Sequence, residues 1–155
     1  MEIYNSFQTS VKKALDEIDV NWPTYRGLII CGTHSPHDTE KMISRIKEAR
    51  ESGEPALLIC AGHQLGAIEY ARNVLGIKDA TSEEFGNGTF VVKKRPELKV
   101  GLYDGKSWWS NYEVTIDYKF PDYFISVPFH PEYQSSVGNP NSFLIKFLTY
   151  AKMAM

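Results

Sequence analysis

The sequence predicts an α/β three-layer sandwich built on a mostly parallel central sheet. Two short runs that are apolar almost throughout, residues 27–31 and 56–60, read as strands buried on both faces. Segments with apolar residues at helical spacing alternate with them, as crossovers between parallel strands require. The chain has 155 residues, 43% of them hydrophobic and 23% charged, which suits one domain with a sizeable core.

Each element follows from its pattern. Phe7, Val11, Ala14, Leu15 and Ile18 recur at helical spacing and predict a first amphipathic helix. The strand at 27–31 runs into a glycine-containing polar turn. Asp38 or Thr39 is placed to cap a second helix with Met42, Ile43, Ile46 and Ala49 on its apolar face. The strand at 56–60 leads directly into a helix that puts Leu65, Ile68, Ala71 and Leu75 on one side. Strands are then expected at 89–92, 99–103, 112–118 and 123–127, with Tyr112, Val114, Ile116 and Tyr118 alternating as on a half-exposed strand. A last helix carries Phe143, Leu144, Phe147, Leu148 and Ala151. Only Met1-Glu2-Ile3-Tyr4 precede the first helix, which leaves little room for an opening strand.

Composition narrows the function. A net charge of −2 offers no electrostatic case for nucleic acid. No apolar run approaches the ~20 residues of a membrane helix, and the N-terminus lacks a signal-peptide pattern. Two cysteines make no disulfide framework, so a reducing cytoplasm is expected. No internal repeat, linker or low-complexity tract is visible.

The chemistry concentrates at two strand ends. In Ala56-Leu57-Leu58-Ile59-Cys60-Ala61-Gly62-His63-Gln64 an apolar run stops at a cysteine and a helical pattern begins at once. Such a strand–turn–helix elbow presents the Cys60 sulfur at a helix N-terminus, whose dipole and backbone N–H groups favour a thiolate and bind anions. The bland alternative is a small buried hydrophobe. A second run, Phe124-Ile125-Ser126-Val127-Pro128-Phe129-His130-Pro131-Glu132-Tyr133, ends in His-Pro-Glu. A nucleophile needs a base and the base needs an orienting group, and His130 and Glu132 supply both. Cys31, Cys60 and His130 all fall at carboxyl ends of expected strands, where sites form in open α/β sheets.

Together these segments resemble the class I glutamine amidotransferases, most closely the glutaminase domain of the CTP synthases. There the elbow reads Gly-Ile-Cys-Leu-Gly-Met-Gln, and here Leu58-Ile59-Cys60-Ala61-Gly62-His63-Gln64. Ile68-Glu69-Tyr70-Ala71-Arg72-Asn73-Val74, Asp79-Ala80-Thr81-Ser82-Glu83-Glu84-Phe85 and Phe129-His130-Pro131-Glu132-Tyr133 extend the likeness. It is weakest between Gly86 and Ser110. The resemblance implies a flavodoxin-like fold and one free-standing domain over residues 1–155, without a synthetase domain. It also implies an opening strand, which is here either vestigial or missing.

The same resemblance implies site roles. Cys60 matches the nucleophile, His130 the proton shuttle and Glu132 its orienting carboxylate. The oxyanion donors fall at the Ala61 N–H and at the loop Gly32–Thr33. Gln64 and Glu84 match positions that hold the glutamine substrate, although Gln64 alone reads as a solvated helix residue and Glu84 as a surface charge. No cofactor is implied. The partners implied are a small amide substrate such as glutamine and a synthase or other acceptor of ammonia, with the oligomeric state open.

Three departures bear on recognition. The family's Gly-Gly-Phe-Gly oxyanion loop here reads Gly32-Thr33-His34-Ser35, and a positive φ at Thr33 would be costly. Asn111 stands where the family has the arginine that grips the substrate carboxylate, just before Tyr112-Glu113-Val114. Trp108 and Trp109 replace polar residues upstream. His34, His63, Asn111 and Tyr112 are therefore expected to line a pocket for glutamine or a related amide. Two other readings stay open: a catalytically silent binding module, and a metal-dependent hydrolase drawing ligands from His34, His37, Cys60 and His63.

Overall fold

Strands without a polar face must be covered on both sides, and this requirement sets the layers seen in the computed structural model. The structure describes residues 1–33, 35–103 and 106–155, with side chains of 96–111 outside the description. Four parallel strands form the main sheet in the order β1 (Glu2–Tyr4), β2 (Leu28–Ile30), β3 (Ala56–Ile59) and β7 (Phe124–Val127). The opening strand is thus present. Three residues suffice, because Glu2, Ile3 and Tyr4 register against Leu28, Ile29 and Ile30.

Alternate residues of β2, β3 and β7 feed two cores. Ile29, Leu57, Ile59, Ile125 and Val127 pack against α1 (Gln8–Ile18) and α4 (Ser142–Met153). Leu28, Ile30, Ala56, Leu58 and Phe124 pack against α2 (Thr39–Ser52) and α3 (Ala61–Asn73). The three-layer α/β sandwich expected from the sequence is the observed fold. Leu75 is the exception on the third helix: the helix ends at Asn73 and Leu75 is exposed.

Helix ends differ from the simplest expectation. Asp38 occupies the N-cap of α2 with φ 55°, and its side chain makes no capping bond. Gly53 closes α2 with φ 76°, a left-handed position suited to glycine. Asn141 caps α4, its side-chain oxygen accepting from the Phe143 and Leu144 N–H groups at 2.9 and 3.3 Å.

A second sheet runs β4 (Ala80–Ser82), β5 (Thr89–Tyr103) and β6 (Lys106–Val114). The strands expected at 89–92 and 99–103 are one strand whose register shifts between Lys94 and Lys99. Pro96 lies in that stretch and has no N–H to donate. The strand expected at 112–118 pairs only to Val114, within a strand that starts earlier. The alternation beyond it still turns Ile116 towards the core.

α2 and α3 are tied by an ion pair. Arg50 reaches the fully buried Glu69 carboxylate at 2.8 and 3.0 Å through two guanidinium nitrogens. Removing one partner strands a buried charge, so Arg50→Ala is expected to lose about 3–5 kcal/mol of unfolding free energy. Denaturant titration checks this, with the Arg50→Leu/Glu69→Leu pair losing clearly less.

Candidate active site

β3 ends at Ile59, and the chain turns sharply into α3 through one residue. Cys60 adopts φ 53° and ψ −102°, outside the main regions open to an L-residue. Such a conformation costs about 1–3 kcal/mol and persists only where its surroundings impose it. Two backbone bonds hold it: the Cys60 N–H donates to the Val127 carbonyl at 2.9 Å, and the Cys60 carbonyl accepts from the Gln64 N–H at 3.1 Å. Gly62 is required beside it, since a Cβ there would lie 2.4 Å from the Ile30 carbonyl oxygen.

The turn after β7 brings the second segment to the same edge. His130 Nδ1 lies 2.7 Å from Glu132 Oε1, and the Glu132 side chain is fully buried. Cys60 is the other group that acts on the imidazole, its side chain helping to hold the ring charged. Burial alone would depress the imidazolium, but the bonds to Cys60 and Glu132 outweigh it and raise His130 to about 9. Cys60, His130 and Glu132 therefore form one connected chain.

The first 33 residues buttress this chain. Phe7 meets the His130 ring edge-on with centroids 5.8 Å apart, and Tyr133 packs on it at 5.3 Å. Gly32 sits so close that a Cβ would lie 2.5 Å from His130 Cε1. Its neighbour Thr33 is buried without a positive φ. The cost foreseen for a β-branched residue there is thus avoided. Instead the Thr33 hydroxyl bonds Ser6 Oγ at 2.6 Å and accepts from the Ser35 N–H at 3.1 Å. Ala61 opens α3, where the first backbone N–H groups lack partners within the helix.

Gln64 is buried rather than solvated, and the half-buried Glu84 is bonded to it. Gln64 is buried, donates from Nε2 to Glu84 at 2.7 Å and accepts from Ser82 Oγ at 2.7 Å. Ser82 also accepts from the Glu84 N–H at 3.2 Å. Tyr112 belongs to the same neighbourhood: burial raises its phenol, and Glu84, Glu83 and Cys60 add to the effect.

His63 departs from expectation. It is buried beneath α3, with Nδ1 2.6 Å from Ser126 Oγ and Nε2 3.3 Å from Tyr118 Oη. Burial lowers it to about 4 and keeps it neutral. His37 is exposed and lies 3.2 Å from Asp38. His34 and the side chain of Asn111, with those of Trp108 and Trp109, lie outside the described residues. Among the described residues no three His, Cys, Asp or Glu side chains are grouped to hold a metal ion, so His37, Cys60 and His63 do not form such a group. Nor is any described helix long and apolar enough to cross a membrane.

Sequence reasoning passed over Ser82, Ser126 and Tyr118. Ser126 did carry a signal: a lone hydroxyl inside an otherwise apolar buried strand must find a partner. Tyr118 carried none, since its partner is distant in the chain, and nothing local linked Ser82 to Gln64.

Known proteins show the same arrangement of segments. A family model, glutamine amidotransferase class-I, matches residues 3–111. The CTP synthase of Methanoculleus marisnigri is 39% identical over 111 residues, covering 62% of this chain and 21% of that protein. That of Thermotoga maritima is 29% identical over 195 residues, covering 87% of this chain and 36% of that protein. The chain thus spans well under half the length of these relatives. A solved structure of the Trypanosoma brucei CTPS glutaminase domain with bound acivicin superposes with a TM-score of 0.73 at 16% identity. It covers 99% of this chain and 93% of its own, a likeness of fold.

The raised His130, acted on by Cys60 and Glu132, generates a pH signature. A histidine raised from 6.5 to about 9 contributes stability that is complete below pH 6.5 and lost as pH rises through about 9. The contribution is on the order of 3 kcal/mol. NMR titration should place the His130 midpoint near 9 and move it towards 6.5 in Glu132→Gln. The stability gap between the two proteins should narrow between pH 6.5 and 9.

Proposed function

Because the chain belongs to the class I glutamine amidotransferases, we propose that it is a cysteine amidase that releases ammonia from glutamine through a thioester on Cys60. The observation that carries this reading is His130, bonded to a buried Glu132 at 2.7 Å and acted on by Cys60, which itself sits on a strained elbow. Strain kept at a reactive residue is characteristic of sites where position matters more than stability.

His130, raised to about 9 and so protonated at neutral pH, carries the proton that Cys60 gives up, and the thiolate attacks the side-chain amide carbon of the substrate. The resulting oxyanion is held by the Ala61 N–H and the backbone of Gly32–Thr33. The imidazolium, kept upright by Glu132, protonates the departing nitrogen, and ammonia leaves. Water, deprotonated by His130, then cleaves the thioester to glutamate and frees Cys60. Glutamine and water enter; glutamate and ammonia leave.

Glu84, steered by Gln64 and Ser82, holds the α-ammonium of the substrate, with Tyr112 nearby. A carboxylate paired with an ammonium is worth more than a neutral contact. The ammonia passes to a synthase partner of the kind that the related CTP synthases suggest.

Acivicin, the ligand in the trypanosomal structure, is an electrophilic glutamine analogue and tests this reading. Intact mass should show one adduct, mapped to Cys60 and absent in Cys60→Ala. No adduct, with Cys60 also inert to iodoacetamide, would favour the silent binding module. Glu84→Gln should raise KM for glutamine by roughly tenfold or more, through loss of a charge-assisted bond. Its iodoacetamide reactivity at Cys60 should stay unchanged.

A further inference from the structure

Among the buried titratable side chains that the mechanism leaves unused, His63 has both ring nitrogens engaged. His63 lies three residues beyond the nucleophile, in the first turn of α3. Both its ring nitrogens face hydroxyl groups: Ser126 of β7 at 2.6 Å, and Tyr118 of the segment leading into β7 at 3.3 Å. The Tyr118 ring also meets the imidazole edge-on, with centroids 5.8 Å apart. Burial lowers its pKa to about 4 and keeps the ring neutral. A neutral imidazole is both donor and acceptor, which lets it satisfy two hydroxyls at once.

What this contact joins is the point. α3 carries Cys60 and Ala61 at its start, and β7 leads into His130. The two elements are already tied once, by the Cys60 N–H on the Val127 carbonyl at 2.9 Å. Ser126 is the adjacent residue of β7, with its side chain on the α3 side of the sheet. The nucleophile turn is therefore fastened to β7 at two consecutive residues, through backbone on one and side chains on the other. A single bond leaves a hinge, whereas two non-collinear bonds fix orientation.

We propose that His63 is a positioning residue that locks the first turn of α3 to β7 through Ser126 and so sets the approach of Cys60 to His130. It touches neither substrate nor the reacting sulfur. The inference rests on the amidase reading for its turnover consequence, but the lock itself acts on Cys60 whatever the substrate.

The test uses His63→Met, which keeps volume without the bonds, with Ser126→Ala, His63→Asn and Tyr118→Phe. The readouts are the pH–rate profile of Cys60 alkylation by iodoacetamide, kcat and KM for glutamine, and the unfolding midpoint. His63→Met and Ser126→Ala should each slow alkylation at pH 7 and lower kcat by roughly tenfold, the scale of a misplaced reacting group. KM should stay within about twofold, because Gln64 and Glu84 are unaltered. The double variant should be no worse than either single one, since both remove the same bond. His63→Asn, whose amide reaches Ser126 from the Nδ1 position, should recover most of the rate. Tyr118→Phe, which breaks the longer contact, should change little. An unchanged alkylation profile in folded His63→Met and Ser126→Ala would overturn the proposal, even if their unfolding midpoints fall. Wild-type protein that alkylates at Cys60 yet does not turn over glutamine would instead count against the amidase reading alone.

Discussion

The arrangement depends on how one strand ends. β3 cannot continue past Ile59 in extended form, because Gly62 must pass within contact of the Ile30 carbonyl for α3 to lie on the sheet. The chain turns in a single residue, and that residue is a cysteine with positive φ. Any residue other than glycine is disfavoured there. The energy is offset by the two buried cores on either face of the sheet, which over-determine where β3 and α3 must sit.

From that constraint the rest of the site follows by adjacency. Parallel strands of similar length place their carboxyl ends at one edge, so β2, β3 and β7 deliver Gly32, Cys60 and His130 to the same place. His130 is then gripped from several directions: by Glu132 below, by Phe7 and Tyr133 on its ring, and by a backbone at Gly32 too close for a side chain. Little freedom remains to the imidazole. In the proposed mechanism, a proton carrier so held has its geometry set before substrate arrives.

Polar residues in this fold divide by what answers them. Gln64, Ser82 and Glu84 satisfy one another at the edge of the second sheet, leaving the carboxylate partly exposed and aimed by its neighbours. His63, Ser126 and Tyr118 satisfy one another beneath α3. Both join segments widely separated in the chain, and each would be costly to bury if any member were missing.

Much was determined by the sequence alone. Apolar strands, helical spacing and their alternation specify the layered α/β fold, because burial on two faces leaves a recognisable pattern without knowledge of partners. The elbow at Cys60 and the His130-Pro131-Glu132 turn were legible because each is local, its chemistry written in consecutive residues. Contacts across the fold were not. Apart from the family resemblance, Gln64 read as a solvated helix residue and Glu84 as a surface charge, and it is β4 that brings Ser82 between them. His63 read as a pocket residue until β7 set Ser126 beneath it. Thr33 looked strained until the turn after β1 supplied Ser6. Only tertiary structure decides such cases, since a polar side chain goes where its hydrogen bonds are met, and those partners lie tens of residues away.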